Sequence, residues 1–108
     1  MPPDPAAGHV VTVFRSRLKP TAGQEYEDTA LAMLDAAQRM PGFVDFKTFV
    51  ADDGERVSLV TFADRASHDA WRDDPGHRRA QQAGRDRFYA GYQIQVCTCE
   101  AVRRFEAE

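Results

Sequence analysis

Two strand-like segments joined by a tight turn lie in the middle of the chain, and this pattern limits the fold most. Residues 43–51 (FVDFKTFVA) and 57–63 (VSLVTFA) are rich in β-branched and aromatic side chains. Residues 52–55 between them read DDGE, and Gly54 can supply the positive φ that a hairpin turn needs. The pattern predicts an antiparallel hairpin, which the flanking segments must complete into a larger sheet.

The segment before the hairpin predicts a strand followed by a helix. Residues 9–18 (HVVTVFRSRL) have strand composition. Thr21 is followed three residues later by Gln24, the pattern of a capping box, and apolar residues then recur at helical spacing. The helix is expected to end near Met40, before a Pro-Gly pair.

The segment after the hairpin predicts a second helical region and a last strand. Asp64 is expected to cap a helix, and Asp74 followed by Pro75 is expected to begin another. Residues 92–105 predict a long last strand. The order β-α-β-β-α-β indicates an α+β, ferredoxin-like fold, with a four-stranded antiparallel sheet carrying helices on one face.

Length and composition leave room for one domain. Residues 1–8 (MPPDPAAG) predict a disordered lead-in, and residues 9–108 a single domain. A net charge of -3 disfavours nucleic-acid binding, and no apolar run is long enough to cross a membrane. The start of the chain does not resemble a secretory signal, so we expect a cytoplasmic protein. Cys97 and Cys99 do not form a metal-ligand pattern and are expected to be a buried pair of small side chains.

The second strand predicts a homodimer because it is apolar on both faces. Phe43 and Phe49 share one parity, whereas Val44, Phe46 and Val50 share the other. The helices can cover only one face of the sheet. The other face is therefore expected to meet a partner, which the long last strand would also reach.

The second helical region gathers the side chains that can form a ligand site. We expect them to line a cleft with the helix-facing side of the first strand, where Phe14 and Ser16 lie. The residues expected from this region are Trp71, His77, Arg85, Phe88 and Tyr89. Aromatic walls with a few polar groups suit a flat, mostly apolar small molecule.

Each of these polar and aromatic residues has a catalytic and a structural interpretation. His77 lies in the first turn of a helix, where the macrodipole disfavours its protonation; it is either a neutral base or an exposed capping residue. Trp71 is a substrate wall or electron relay, or a packed core residue. Arg85 stabilises an anion or pairs with a carboxylate, and Tyr89 offers a pocket hydroxyl or packs in the core. His68 is expected to face solvent.

Four short motifs resemble those of the antibiotic biosynthesis monooxygenase family. They are VVTVFR in the first strand, Pro-Gly-Phe before the second, a Trp with Asp-Pro and His in the second helical region, and IQVC in the last strand. The resemblance extends from about His9 to Phe105. It implies a dimeric α+β barrel. It also implies oxidation of polycyclic phenols or anthrones by O₂ without metal or flavin, since the deprotonated substrate supplies the electrons.

The resemblance transfers to individual positions unevenly. Trp71 matches the family's helix Trp, whereas Ser67 and His77 stand where anthrone-oxidising members have Asn and Tyr. The expected Arg near the last strand is matched best by Arg85 or Arg87. The resemblance thus implies Trp71, His77 and Arg85 as catalytic residues and Ser67 as a substrate contact.

A haem-degrading activity of the same superfamily fits this sequence less well. Ser16 and Gln81 stand where that branch has an Asn and an axial His. The expected function is a cofactor-independent monooxygenase acting on a small aromatic substrate. The alternatives are a protein that binds haem or another aromatic ligand without turnover, and a dimeric protein whose cleft is vestigial.

Overall fold

A computed structural model describes residues 4–108, so residues 1–3 of the predicted lead-in lie outside the described residues. The strands are β1 (Val10–Leu18), β2 (Phe43–Val50), β3 (Arg56–Phe62) and β4 (Tyr89–Thr98). The helices are α1 (Gly23–Gln38), α2 (Arg65–Asp73) and α3 (Pro75–Ala83), and a short π-helical segment, Gly84–Phe88, follows α3. In the part described, no helix is long and apolar enough to cross a membrane.

The four strands form one antiparallel sheet in the order β2-β3-β1-β4. At its centre, Val13 pairs with Leu59 on one side and with Gln95 on the other. The helices pack on one face, which confirms the predicted ferredoxin-like α+β fold.

The predicted caps of the second helical region are confirmed. The Asp64 side chain accepts a hydrogen bond from the Ser67 N–H at 2.8 Å, and α2 begins directly after it. The Asp74 side chain accepts from the His77 N–H at 3.0 Å, with Pro75 at the first position of α3.

The predicted capping box of α1 is wrong. The cap position is Ala22, which has helical backbone angles and no side-chain hydrogen bond. The Gln24 side chain donates instead to Asp28 one turn later, at 2.9 Å. A helical pair of this kind competes with the reach back to the helix start.

The last strand is displaced from its predicted range of 92–105. The π-helical segment ends at Phe88, and the chain is extended from Tyr89 onward. Thr98 pairs with Val10, the first residue of β1, and one further residue is paired because the Cys99 N–H donates to the His9 carbonyl at 2.8 Å. The Gly8 N–H donates to the Cys99 carbonyl at 2.9 Å, where the two chain ends meet.

β4 lies at the sheet edge, and the helices do not cover it. Ile94 and Val96, on its helix-facing side, are each 42% exposed. Cys97 is exposed and Cys99 is half-buried, so the predicted buried cysteine pair is wrong. The cause is the position of the strand, since an edge strand without a covering layer buries neither face.

A register shift in β2 corrects the predicted division of its faces. The shift between Phe43 and Asp45 brings Phe43 and Phe46 to the same, helix-facing side, where both pack on the core. The face without helices, which we call the open face, carries apolar side chains from three strands. The pairing places on it Val11, Val13, Phe49, Val57 and Leu59.

The core beneath the helices is divided in two. One cluster surrounds Phe62, Ala37 and Trp71, and the other joins Tyr26 and Phe88. α1 runs over both clusters because Tyr26 lies near its beginning and Ala37 near its end. The space between the clusters is not filled, and it holds the candidate site.

Candidate functional site

A cavity of about 560 Å³ lies between the sheet and the helices. One end is formed by Trp71, His68 and His77 of α2 and α3. The other end is formed by Arg56 and three tyrosines, and apolar residues line the middle. Its volume suits a small organic molecule of several rings.

Trp71 forms a flat wall with His77. Their rings stack, with centroids 4.1 Å apart and an interplanar angle of 15°. Trp71 is only 5% exposed and lies 6.4 Å from the ring of Phe62, so it belongs both to the core and to the cavity lining. Trp71 is therefore a packed core residue, and one part of the same side chain also borders the cavity.

The hydrogen bonds of His77 determine its tautomer. Nδ1 lies 3.0 Å from the backbone carbonyl oxygen of Trp71, which only accepts. Nδ1 therefore carries the proton, and Nε2 keeps a lone pair when the ring is neutral. Burial lowers the pKa of His77, and the bond to the Trp71 carbonyl opposes this shift. Burial is therefore the main cause that favours the neutral ring.

His68 is a cavity residue, and the prediction that it faces solvent is wrong. It is 5% exposed and lines the cavity. Its Nδ1 lies 2.9 Å from a carboxylate oxygen of Asp69, so this nitrogen is the donor of the pair. Its position three residues before Trp71 places both on one side of α2, a helical spacing that the sequence already contained.

Arg56 and the tyrosines form a polar end opposite the histidines. The Arg56 guanidinium lies 5.5 Å from the ring centre of Tyr26. Burial, followed by the neighbouring Tyr26, raises the pKa of Tyr89, so its hydroxyl stays protonated and can donate. The Tyr92 ring packs 5.7 Å from that of Tyr89. Sequence reasoning missed Arg56 because it lies on the hairpin, far along the chain from the other candidates.

Three of the predicted substrate contacts, Phe14, Phe88 and Tyr89, line the cavity. Ser16, also predicted, is buried at 4% exposure but does not line the cavity. Gln81, which stands where the haem-degrading branch has its axial His, does line the cavity.

Two further predicted residues lie outside the lining. The side chain of Ser67 is directed at Gly42, where it fills the space that a Cβ would occupy. Arg85 is exposed and donates to the Tyr92 hydroxyl at 3.1 Å, so it reaches the cavity only through that residue. Arg87 pairs with Glu25 at 2.7 Å, also outside the cavity.

Residues 4–108 contain no cluster of three or more His, Cys, Asp or Glu side chains arranged to hold a metal ion. The functional groups of the described lining include imidazole, phenol, guanidinium and hydroxyl groups and one carboxylate, that of Glu27.

Comparisons with known proteins agree with this architecture. The sequence profile of a family described as "Antibiotic biosynthesis monooxygenase" matches residues 9–83. The uncharacterized protein YqjZ of Bacillus subtilis is 26% identical over 94 residues, which cover 87% of this chain and 82% of that protein.

Solved structures share the fold. SnoaB, a cofactor-independent oxygenase from Streptomyces nogalater, is similar with a TM-score of 0.74 at 20% identity, covering 89% of this chain and 97% of that one. Rv0793 from Mycobacterium tuberculosis is similar with a TM-score of 0.72 at 18% identity, covering 93% and 99% of the two chains.

Proposed function

Because the chain belongs to the antibiotic biosynthesis monooxygenase family, we propose that it is an oxygenase that oxidises a flat, acidic aromatic compound with O₂ and without a bound cofactor. The same fold in SnoaB, which is described as a cofactor-independent oxygenase, supports the absence of a cofactor requirement. The substrate class is an anthrone or a related polycyclic phenol.

The observation that carries this proposal is the stacked pair of Trp71 and His77 at the cavity wall. The His77 ring covers one face of the indole, so an aromatic ligand can pack against the part of this stacked pair that lines the cavity. The imidazole beside it is neutral, with its lone pair on Nε2. One wall thus supplies both ring recognition and a proton acceptor.

In the proposed reaction, His77 removes a proton from the CH₂ group between two rings, or from a phenol conjugated to it. The resulting anion is electron-rich enough to reduce O₂ directly. One oxygen atom enters the carbon as a carbonyl and the other leaves as water, so CH₂ and O₂ become C=O and H₂O. Proton abstraction by a placed base contributes about 10²–10⁴-fold to such rates.

The second end of the cavity stabilises the anion. The Tyr89 hydroxyl stays protonated and donates to developing negative charge. Arg85 acts as a positioning residue. It donates to the oxygen of Tyr92, so the hydrogen of that hydroxyl is free to be donated to another acceptor.

The proposal is tested by O₂ uptake during aerobic incubation with a panel of anthrones, hydroquinones and haem, with chelator present and no flavin added. We expect uptake with at least one anthrone or hydroquinone, above the rate without protein. Tight binding of these compounds without uptake would instead indicate a protein that binds aromatic ligands without turnover.

A further inference from the structure

We propose that the Arg56 end of the cavity binds a carboxylate carried by the aromatic ligand, so that the protein selects acidic polycyclic substrates. This inference rests on the proposed function for the ring system of the ligand, but not for turnover. The observation behind it is a buried donor without a hydrogen-bond partner. Nε of Arg56 is buried, and no residue in the range 4–108 accepts a hydrogen bond from it.

A guanidinium in this position needs an acceptor. A buried polar group without a partner costs free energy, more so when the group is charged. The face of the Tyr26 ring attracts the cation, but it does not accept hydrogen bonds from the N–H groups in the guanidinium plane. A carboxylate matches the planar fork of arginine and satisfies two N–H groups together.

The surrounding hydroxyls are donors as well. The Tyr92 oxygen accepts from Arg85 at 3.1 Å, which leaves the Tyr92 hydrogen to be donated elsewhere. Tyr89, which packs against both Tyr26 and Tyr92, keeps its proton. Arg56, Tyr89 and Tyr92 thus bring three donors to one end of the cavity, which favours an anion over a cation.

The charges of the described lining point the same way. Arg56 and Arg72 are the arginines of the lining, and Glu27 is its one carboxylate. Lys47 also borders the cavity, but its ammonium lies over the Phe49 ring on the open face. Arg72 is neutralised by Asp69 and Asp73, whereas no ion pair is formed by Arg56 in the described part of the chain. Arg56, at the tyrosine end, therefore carries the guanidinium of this lining that is left without an ion pair among the described residues.

The distance between the two ends defines the shape of the ligand. Arg56 and Phe62 are the first and last residues of β3, six residues apart, which corresponds to ~20 Å of strand. Trp71 packs on Phe62, so the stacking wall and the guanidinium lie at opposite ends of the cavity. A ligand that occupies both ends is elongated, with fused rings at Trp71 and a carboxylate at its far edge.

Binding of anthraquinone-2-carboxylate and of its neutral carboxamide tests this inference. Both compounds are already oxidised, so binding is measured without turnover, through quenching of the fluorescence of Trp71, the only tryptophan. We expect the carboxylate to bind about tenfold or more tightly than the carboxamide, the usual range for a charge-assisted pair. Arg56→Gln should abolish this preference and Arg56→Lys should keep part of it, whereas Arg39→Gln, at the exposed residue that follows α1, should not change it.

The outcomes separate this inference from the proposed function. Equal affinities of the wild-type protein for the two compounds, or an equal loss of both in Arg56→Gln, would overturn the carboxylate site. The wild-type comparison stands even if Arg56→Gln fails to fold. Failure of both compounds to bind would overturn the aromatic site altogether. Selective binding combined with no O₂ uptake would overturn only the proposed oxygenase activity.

Discussion

The proton acceptor of the proposed reaction is one nitrogen atom, Nε2 of His77, whose lone pair follows from the hydrogen bond between Nδ1 and the Trp71 carbonyl. We expect His77→Ala to lower kcat by about 10²–10⁴-fold with a smaller change in KM. His9→Ala, at a histidine outside the cavity, is the matched control. An unchanged rate in His77→Ala, combined with loss in His68→Ala, would transfer the role of base to His68.

The rate should depend on pH in a direction that burial determines. Burial lowers the pKa of His77 below its ordinary value of 6.5, and the neutral ring is the active form. The rate should therefore rise with pH, reach half its maximum below pH 6.5 and then stay level through neutrality. A half-maximum above pH 6.5 in the kcat profile would argue against His77 as the base.

Individual residues also show where sequence reasoning succeeds. Trp71, His77, Phe88 and Tyr89 line the cavity as predicted from their concentration near one helical region, and Phe14 does so as predicted from strand alternation. Histidine is polar and is ordinarily assigned to the surface. Sequence reasoning missed His68 for this reason. In the structure the Asp69 carboxylate satisfies the buried Nδ1 of His68 by a hydrogen bond.

At the scale of elements, the π-helical segment controls the shape of the cavity. A Cβ on Gly84 would lie 2.6 Å from the ring of Tyr89, which is itself packed against Phe14 and Tyr26. Gly84→Ala must displace that ring. We expect a loss of about 1–3 kcal/mol in the free energy of unfolding and weaker binding of anthraquinone-2-carboxylate.

Gly91→Ala is the control for this change, since nothing lies within 4 Å of an added Cβ there. Denaturant unfolding and Trp71 fluorescence titration measure the two effects. If Gly84→Ala behaves like Gly91→Ala in both measurements, the ring of Tyr89 is not held against Gly84 by Phe14 and Tyr26.

The order of the elements was predictable, whereas several of their boundaries were not. Periodicity, caps and turn residues specify βαββαβ because each acts within a few residues. The beginning of β4 depends on the π-helical segment, and its end depends on where β1 begins, at Val10. The β2 register shift likewise arises from packing of Phe43 and Phe46 on one core. These boundaries depend on contacts between residues far apart in the sequence, which local patterns do not predict.

At the scale of the whole molecule, the open face predicts self-association. Val13 and Leu59 pair at the centre of this face, which carries apolar residues and no helix. We expect two sheets to pack face to face in a homodimer of this 12.1 kDa chain. Val13→Asp should yield a monomer in sedimentation equilibrium, whereas Val50→Asp, at an exposed position on the helix-facing side, should not. A wild-type monomer at micromolar concentration would contradict this expectation.

Turnover under ¹⁸O₂ shows whether a cavity bearing a neutral imidazole oxidises an aromatic carbon with O₂ alone. An anthrone is converted under ¹⁸O₂ in the presence of chelator and without added flavin, and the quinone product is analysed by mass spectrometry. We expect one labelled oxygen atom per quinone and one O₂ consumed per turnover, at a rate that His77→Ala reduces. A quinone without label, or labelled equally fast in the absence of the protein, would contradict it.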